Sequence, residues 1–182
     1  MIWYNFNTFI KKVKMNKIFI TLILLISLCL HSQTAEEVKL YNSGLDKIDN
    51  GDFYGAIGAF SAYISLDPKE SLAYYFRATA KVKLGDDINA ITDYTKAIEL
   101  DPKDPDFYFD RANSRFALKD FYSAISDYTK VIELSPNDWD AYMGRGNSKK
   151  NLGDSDGSCT DWRKAAQIQN ITVPEWVAAE CN

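Results

Sequence analysis

Stepping along the chain by 34 residues returns the same kind of residue each time. Leu66-Asp67-Pro68, Leu100-Asp101-Pro102 and Leu134-Ser135-Pro136 close three successive segments spaced 34 residues apart. The same step aligns Gly44, Ala78, Ala112 and Gly146, then Ala56, Ala90, Ala124 and Ser158, then Phe60, Tyr94, Tyr128 and Trp162. A further column holds Asp52, Asp86, Asp120 and Asp154, directly after Gly51, Gly85, Lys119 and Gly153. The register runs through four units without an insertion. A period of this length marks an array whose units bury their apolar faces only against one another.

Each unit reads as two helices. In the third, Asp106 to Leu118 carries Tyr108, Ala112, Arg115 and Phe116 at helical spacing. Phe121 to Leu134 carries Ala124, Ile125, Tyr128, Val131 and Ile132 in the same way. Asp120 between them is placed to cap the second helix, and Pro136 to stop it. The small columns let two helix backbones approach, and the aromatic column fills the next layer.

These small, aromatic and Pro positions resemble the tetratricopeptide repeat family, whose unit has this length. The resemblance covers residues 35 to 168. It implies an all-α fold, an α-α superhelix of four helix-turn-helix repeats over about 37–70, 71–104, 105–138 and 139–172, with a concave groove lined by the first helix of each pair. Two departures fall in terminal units, where capping residues differ from the consensus. Tyr63 stands where Ala97, Val131 and Ala165 stand, and the last unit lacks the closing Pro.

Comparing the units also brings out charge. Arg77, Arg111 and Arg145 share one column and Asp93, Asp127 and Asp161 another, and in the first unit both change, to Ser43 and Ala59. Joint loss points to an Arg-Asp pair; two independently solvated faces are the other reading.

Before the repeats lies a different segment. Ile18 to Leu30 is apolar apart from Thr21 and Ser27, preceded by Lys11, Lys12, Lys14 and Lys17 and followed by His31-Ser32-Gln33-Thr34. A basic flank and a short apolar stretch describe a secretory signal peptide. Its helix would reach roughly 20 Å, short of the ~30 Å hydrocarbon core. Residues 1–33 are thus expected to be an upstream extension plus signal, with Met15 as the start, and residues 35–182 the repeat domain of a periplasmic or secreted protein. Membrane contact is expected only through this segment if it stays uncleaved, and a lipid on Cys29 is disfavoured because Leu28 before it is large. Without the four lysines the body carries 17 basic against 25 acidic residues, a net charge near −8. Such a body repels phosphate backbones, which argues against a nucleic-acid partner.

After the last unit, Thr172-Val173-Pro174-Glu175-Trp176-Val177 begins a short capping helix over about 173–182, with Pro174 in its first turn. Cys159 and Cys181 are the cysteines of the repeat body. If the closing helix returns antiparallel, they stand at heights of roughly 13 and 12 Å from the turn. A disulfide between them suits export; two free thiols, with Cys159 packed where Ile57, Ile91 and Ile125 are, is the alternative.

His31, the single histidine, belongs to the signal segment, so the body lacks a His-based triad, and two cysteines do not make an ordinary structural zinc site. No metal, catalytic residue or small-molecule cofactor is expected. The Asp154 to Gly157 turn is a poor calcium loop, and Asn170-Ile171-Thr172 matches a glycosylation acceptor as easily by chance. The family resemblance puts function in the groove, with candidate lining residues Tyr41, Tyr75, Phe109 and Met143, then Thr79, Asn113 and Asn147, with Lys83 and Lys150 further along. Leu45 shares the column of Thr79. The family's lysine clamp for a terminal carboxylate is missing, since that column holds Tyr, Tyr, Phe and Met. The expectation is a non-enzymatic adaptor in the bacterial envelope that holds a protein or peptide segment. Alternatives are a non-catalytic accessory subunit of an envelope enzyme and a self-associating solenoid.

Overall fold

The computed structural model describes residues 35–181; the expected signal segment, with Met15 and Ile18 to Leu30, lies outside them. The described residues form nine helices and no strand. They are α1 (35–49), α2 (Phe53–Leu66), α3 (Ser71–Lys83), α4 (Asp87–Leu100), α5 (Pro105–Ala117), α6 (Phe121–Leu134), α7 (Trp139–Asn151), α8 (Ser155–Gln169) and α9 (Glu175–Glu180). None of those described is long and apolar enough to cross a membrane. Consecutive helices pack as pairs and each pair packs on the next, making an all-α superhelical stack.

The two kinds of turn follow from two residue columns. Within each pair the chain reverses through a left-handed residue: Gly51 (φ 76°), Gly85 (80°), Lys119 (63°) and Gly153 (83°). Glycine adopts this conformation without strain, which a side chain such as that of Lys119 does not escape. The next residue is always Asp, and its carboxylate accepts the backbone N–H of Gly55, Asn89, Ser123 or Gly157, capping the second helix. Between pairs, Asp67, Asp101 and Ser135 leave the helical conformation ahead of Pro, as the Pro ring requires of its predecessor. Glu70, Asp104 and Asp138 then cap the next first helix.

The core is layered by the small and aromatic columns. Ala56, Ala90, Ala124 and Ser158 are fully buried. A methyl group added at Gly44 would lie 2.6 Å from the Phe60 ring, and one at Gly146 2.7 Å from Trp162. Glycine is therefore required beside Phe60 and Trp162, whereas Ala78 and Ala112 fit beside Tyr94 and Tyr128. The aromatic tips are matched as well. Tyr94 Oη is 3.5 Å from Thr79 Oγ1, Tyr128 Oη donates to Asn113 Oδ1 at 2.6 Å, and Trp162 Nε1 donates to Asn147 Oδ1 at 3.1 Å. Phe60 has no polar tip, and its unit carries Leu45 in that column.

The Arg and Asp columns meet. Arg77 holds Asp93 through two bonds of 2.8 and 2.7 Å, Arg111 holds Asp127 at 2.9 and 2.8 Å, and Arg145 holds Asp161 at 2.9 and 2.6 Å. The remaining Nη1 of each Arg reaches back to Ser61, Thr95 or Thr129 in the preceding unit. Each guanidinium also lies over a tyrosine ring, of Tyr74, Tyr108 or Tyr142. A second cation, Lys81, Arg115 or Lys149, completes each carboxylate. The carboxylates are buried, and two-fold pairing is what makes a buried charge tolerable. In the first unit Lys47, lacking an Asp at Ala59, pairs with Asp52 at 2.9 Å instead.

At the other end Asn170 (φ 54°) closes α8, and α9 turns back over it. Pro174 is the N-cap of α9 and not part of its first turn; with ψ at 143° its carbonyl still accepts from Val177 and Ala178. Val177 is fully buried, while Trp176 is half exposed with its ring edge against Trp162 at 5.0 Å. Cys159 and Cys181 come together here, their Cα atoms 5.6 Å apart and their sulfurs at bonding distance.

Candidate functional site: the face of the first helices

Two cavities open on the face formed by α1, α3 and α5. The first, about 450 Å³, is lined by Glu37, Val38, Tyr41, Asn42, Tyr63, Glu70 and Leu72. Tyr41 is its back wall, packed edge-on against Phe60, Tyr63 and Phe76. Tyr63, the departure from the small column, thereby becomes part of a surface. Burial, and then the nearby carboxylate of Glu70, hold the Tyr41 hydroxyl above its ordinary pKa.

The second cavity, about 410 Å³, lies between the second and third units and is lined by Thr79, Val82, Lys83, Asp87, Tyr94, Asp110, Asn113, Ser114 and Ala117. Three of the anticipated residues, Thr79, Lys83 and Asn113, meet there. Tyr75 stands beside it, donating its hydroxyl to Asp110 Oδ2 at 2.8 Å. Burial raises the Tyr75 pKa most, and Asp110 raises it further. Burial likewise raises Asp110, against the hydrogen bonds from Tyr75 and Asn113 and the charge of Lys83.

The other anticipated residues are placed differently. Phe109 is half buried, its ring 5.8 Å from that of Tyr128. Met143 is half buried on α7. Asn113 and Asn147 have their carbonyl oxygens taken by Tyr128 and Trp162, which leaves the amide N–H groups of Asn147, and not the full amide, for a partner. Lys150 is turned to the closing helix: it pairs with Glu180 at 2.9 Å and lies 5.6 Å from the Trp162 ring centre. That contact depends on where α9 folds, which the repeat pattern does not encode.

The column that lines the first cavity through Val38 and Leu72 continues as Asp106 and Asp140. Burial raises both carboxyls, and neighbouring acids, Asp104 and Asp138 for Asp106 and Asp138 for Asp140, raise them further. That column therefore changes from apolar in the first two units to acidic in the last two. The column was legible in the sequence as Val38, Leu72, Asp106 and Asp140; Asp110 was not, because its own column reads Asn42, Phe76, Asp110 and Gly144. Among the described residues no group of three or more His, Cys, Asp or Glu is arranged to hold a metal ion.

The stack of helix pairs and its grooved face define a repeat-built binding scaffold. Models described as TPR repeat and tetratricopeptide repeat match residues 78–119 and 105–138, so this part of the chain is built of tetratricopeptide repeats. A comparison with curated protein sequences finds no match. Among solved structures, a crystal structure of MamA is similar over 79% of this chain and 84% of its own, with 23% identity and a TM-score of 0.74. The first TPR domain of Spaghetti (RPAP3), bound to the HSP90 peptide SRMEEVD, is 26% identical over 65% of this chain and 94% of its own, at a TM-score of 0.63. YrrB, described as a TPR protein with an unusual peptide-binding site, is 20% identical over 79% of this chain and 72% of its own, at 0.70.

Proposed function

We propose that the protein is an exported scaffold of the bacterial envelope that holds an extended segment of a partner protein along the face of its first helices, without chemistry of its own. The observation that carries this reading is the presence of two cavities on that face, one aromatic around Tyr41 and one polar around Asn113 and Asp110. Rings offer large contact area at low entropy cost, and the amide N–H groups of Asn147 suit a peptide carbonyl. RPAP3 and YrrB, which share the fold, are described as binding peptides.

Export rests on the apolar run from Ile18 to Leu30 and on the meeting of Cys159 with Cys181, a bond that persists in oxidising compartments. The experiment is affinity capture from the native envelope with the wild-type protein and with Tyr41→Ala/Phe109→Ala, followed by mass spectrometry. The expected result is a partner retained by the wild type and lost from the variant. Equal retention by both would overturn the groove as the site. A partner that is an enzyme whose rate changes on binding would identify the accessory-subunit alternative. Alkylation of both thiols in the unreduced, unfolded protein would remove the disulfide from the case for export.

A further inference from the structure

We propose that the cavity between α3, α4 and α5 receives the cationic side chain, lysine or arginine, of the segment that lies in the groove. This rests on the groove reading above and adds to it the chemistry of one anchoring residue.

The first ground is the state of Asp110. Asp93, Asp127 and Asp161, the buried carboxylates among the described residues, each have two cations within ion-pair distance. Asp110 is half buried, accepts only from the neutral Tyr75 hydroxyl and Asn113 amide, and forms no ion pair among those observed in the described residues. Lys83 acts on it only through space. A second carboxylate, Asp87, lines the same cavity.

The second ground is independent of charge. Ser114 is 2% exposed, and its Oγ is the one buried side-chain polar atom among the described residues without a hydrogen-bond partner. It lines this cavity. A buried hydroxyl left unpaired is costly, and a group that arrives with several N–H donors relieves it. An ammonium or guanidinium has donors enough for Ser114 and Asp110 together.

Shape and surroundings agree. About 410 Å³ is at the small end of ligand sites and has room for one long side chain. Tyr94 forms part of the wall, and a cation beside a tyrosine ring is an arrangement the molecule itself repeats at Arg77, Arg111 and Arg145. An acidic side chain would find Lys83, but only beside Asp87 and Asp110. The acidic column of Asp106 and Asp140 continues the same preference along the groove. A cation there would also bring the raised Asp110 carboxyl back down.

The test uses the purified protein on an array of immobilised randomised nine-residue peptides, read for wild type, Asp110→Asn and Ser114→Ala, with thermal melts to show that each variant is folded. A second array run uses the groove variant Tyr41→Ala/Phe109→Ala. The expected result is a preference for Lys or Arg over Gln or Met at one position of at least about tenfold, the scale of a charge-assisted hydrogen bond. Asp110→Asn is expected to reduce it to within about twofold, and Ser114→Ala to weaken it by a smaller factor. Peptides that bind through the groove without a basic preference, with an acidic one, or with one that survives Asp110→Asn, overturn the inference and leave the groove reading standing. Retention of no peptide, or retention unchanged in the groove variant, overturns both.

Discussion

At Arg77, Arg111 and Arg145 one guanidinium ties three helices together, gripping an Asp in its own unit and a hydroxyl in the unit before. The first pair of helices accepts from Arg77 at Ser61 but has no such arginine of its own. Leu40, Ser43 and Ala59 stand in the columns of the tyrosine, the arginine and the aspartate, and the layer is filled by Tyr41, Phe60, Tyr63 and Phe76. One fold is thus stabilised by two chemistries. The later units combine burial with directional bonds that fix how each pair lies on the last, while the first relies on ring packing, which is strong but less particular about geometry. The change is coordinated across columns: where the arginine goes, its tyrosine and aspartate go too, and Lys47 finds Asp52.

The comparison can be broken at its strongest point. Asp127→Ala leaves Arg111 and Arg115 partly buried without their anion, and a loss of about 3–5 kcal/mol is expected in urea unfolding. Arg111→Ala with Asp127→Ala should be far less harmful than the two losses summed; additivity would show that the pair is not coupled. The far end, where Cys159 and Cys181 meet, contrasts with a first unit held by rings. With a sequence separation of 22 residues, reduction of Cys159–Cys181, or Cys181→Ser, is expected to lower stability by about 3 kcal/mol, read as a fall in Tm on adding reductant. An unchanged Tm would mean that the Cys159–Cys181 link contributes nothing to the stack.

The ring-packed unit has its own sensitive position. Gly44→Ala is expected to cost about 1–3 kcal/mol by thermal denaturation, because the new methyl meets the Phe60 ring, although alanine is native in that column at Ala78 and Ala112. The smallest effect has the opposite sign. Burial raises the Asp110 carboxyl above its ordinary 3.8, so the folded state favours the protonated form and ionisation costs stability as the pH rises past that value. Asp110→Asn, which still accepts from Tyr75, is therefore expected to raise the Tm at pH 7, with the gain vanishing as the pH falls below 3.8. Around Asp110 the charged groups are Lys83 from α3, Asp87 from α4 and Asp106 from α5.

How much of this was legible follows from what repeats. Helix pairs, turns, caps and the Arg-Asp pairs recur every 34 residues, so one unit corroborates another, and α5 and α6 begin and end within a residue of the expected bounds. Even the match of Leu45, Thr79, Asn113 and Asn147 to the tips of Phe60, Tyr94, Tyr128 and Trp162 was present as two columns that change together. Features that occur once were not legible. Asp110 has no counterpart in its column, the unpaired hydroxyl of Ser114 depends on what happens to lie opposite, and Lys150 is diverted by Glu180 of a helix outside the repeat. Ser148, in the column of Ser114, shows the difference: its hydroxyl bonds back to the Gly144 carbonyl.

The arginines also give the stack a direction in time. Each reaches backward, to Ser61, Thr95 or Thr129, and the two threonines are already bonded to their own helices at the Ile91 and Ile125 carbonyls. A ribosome delivers the acceptor unit before the donor unit. Each new pair of helices therefore meets a surface already formed, on which Thr95 and Thr129 wait bonded to their own helices, and only the newest arginine is without its partner, the Asp of its own second helix. A chain grown in this order closes its joints one at a time, as a zip fastener does, from the ring-packed end to the cysteines.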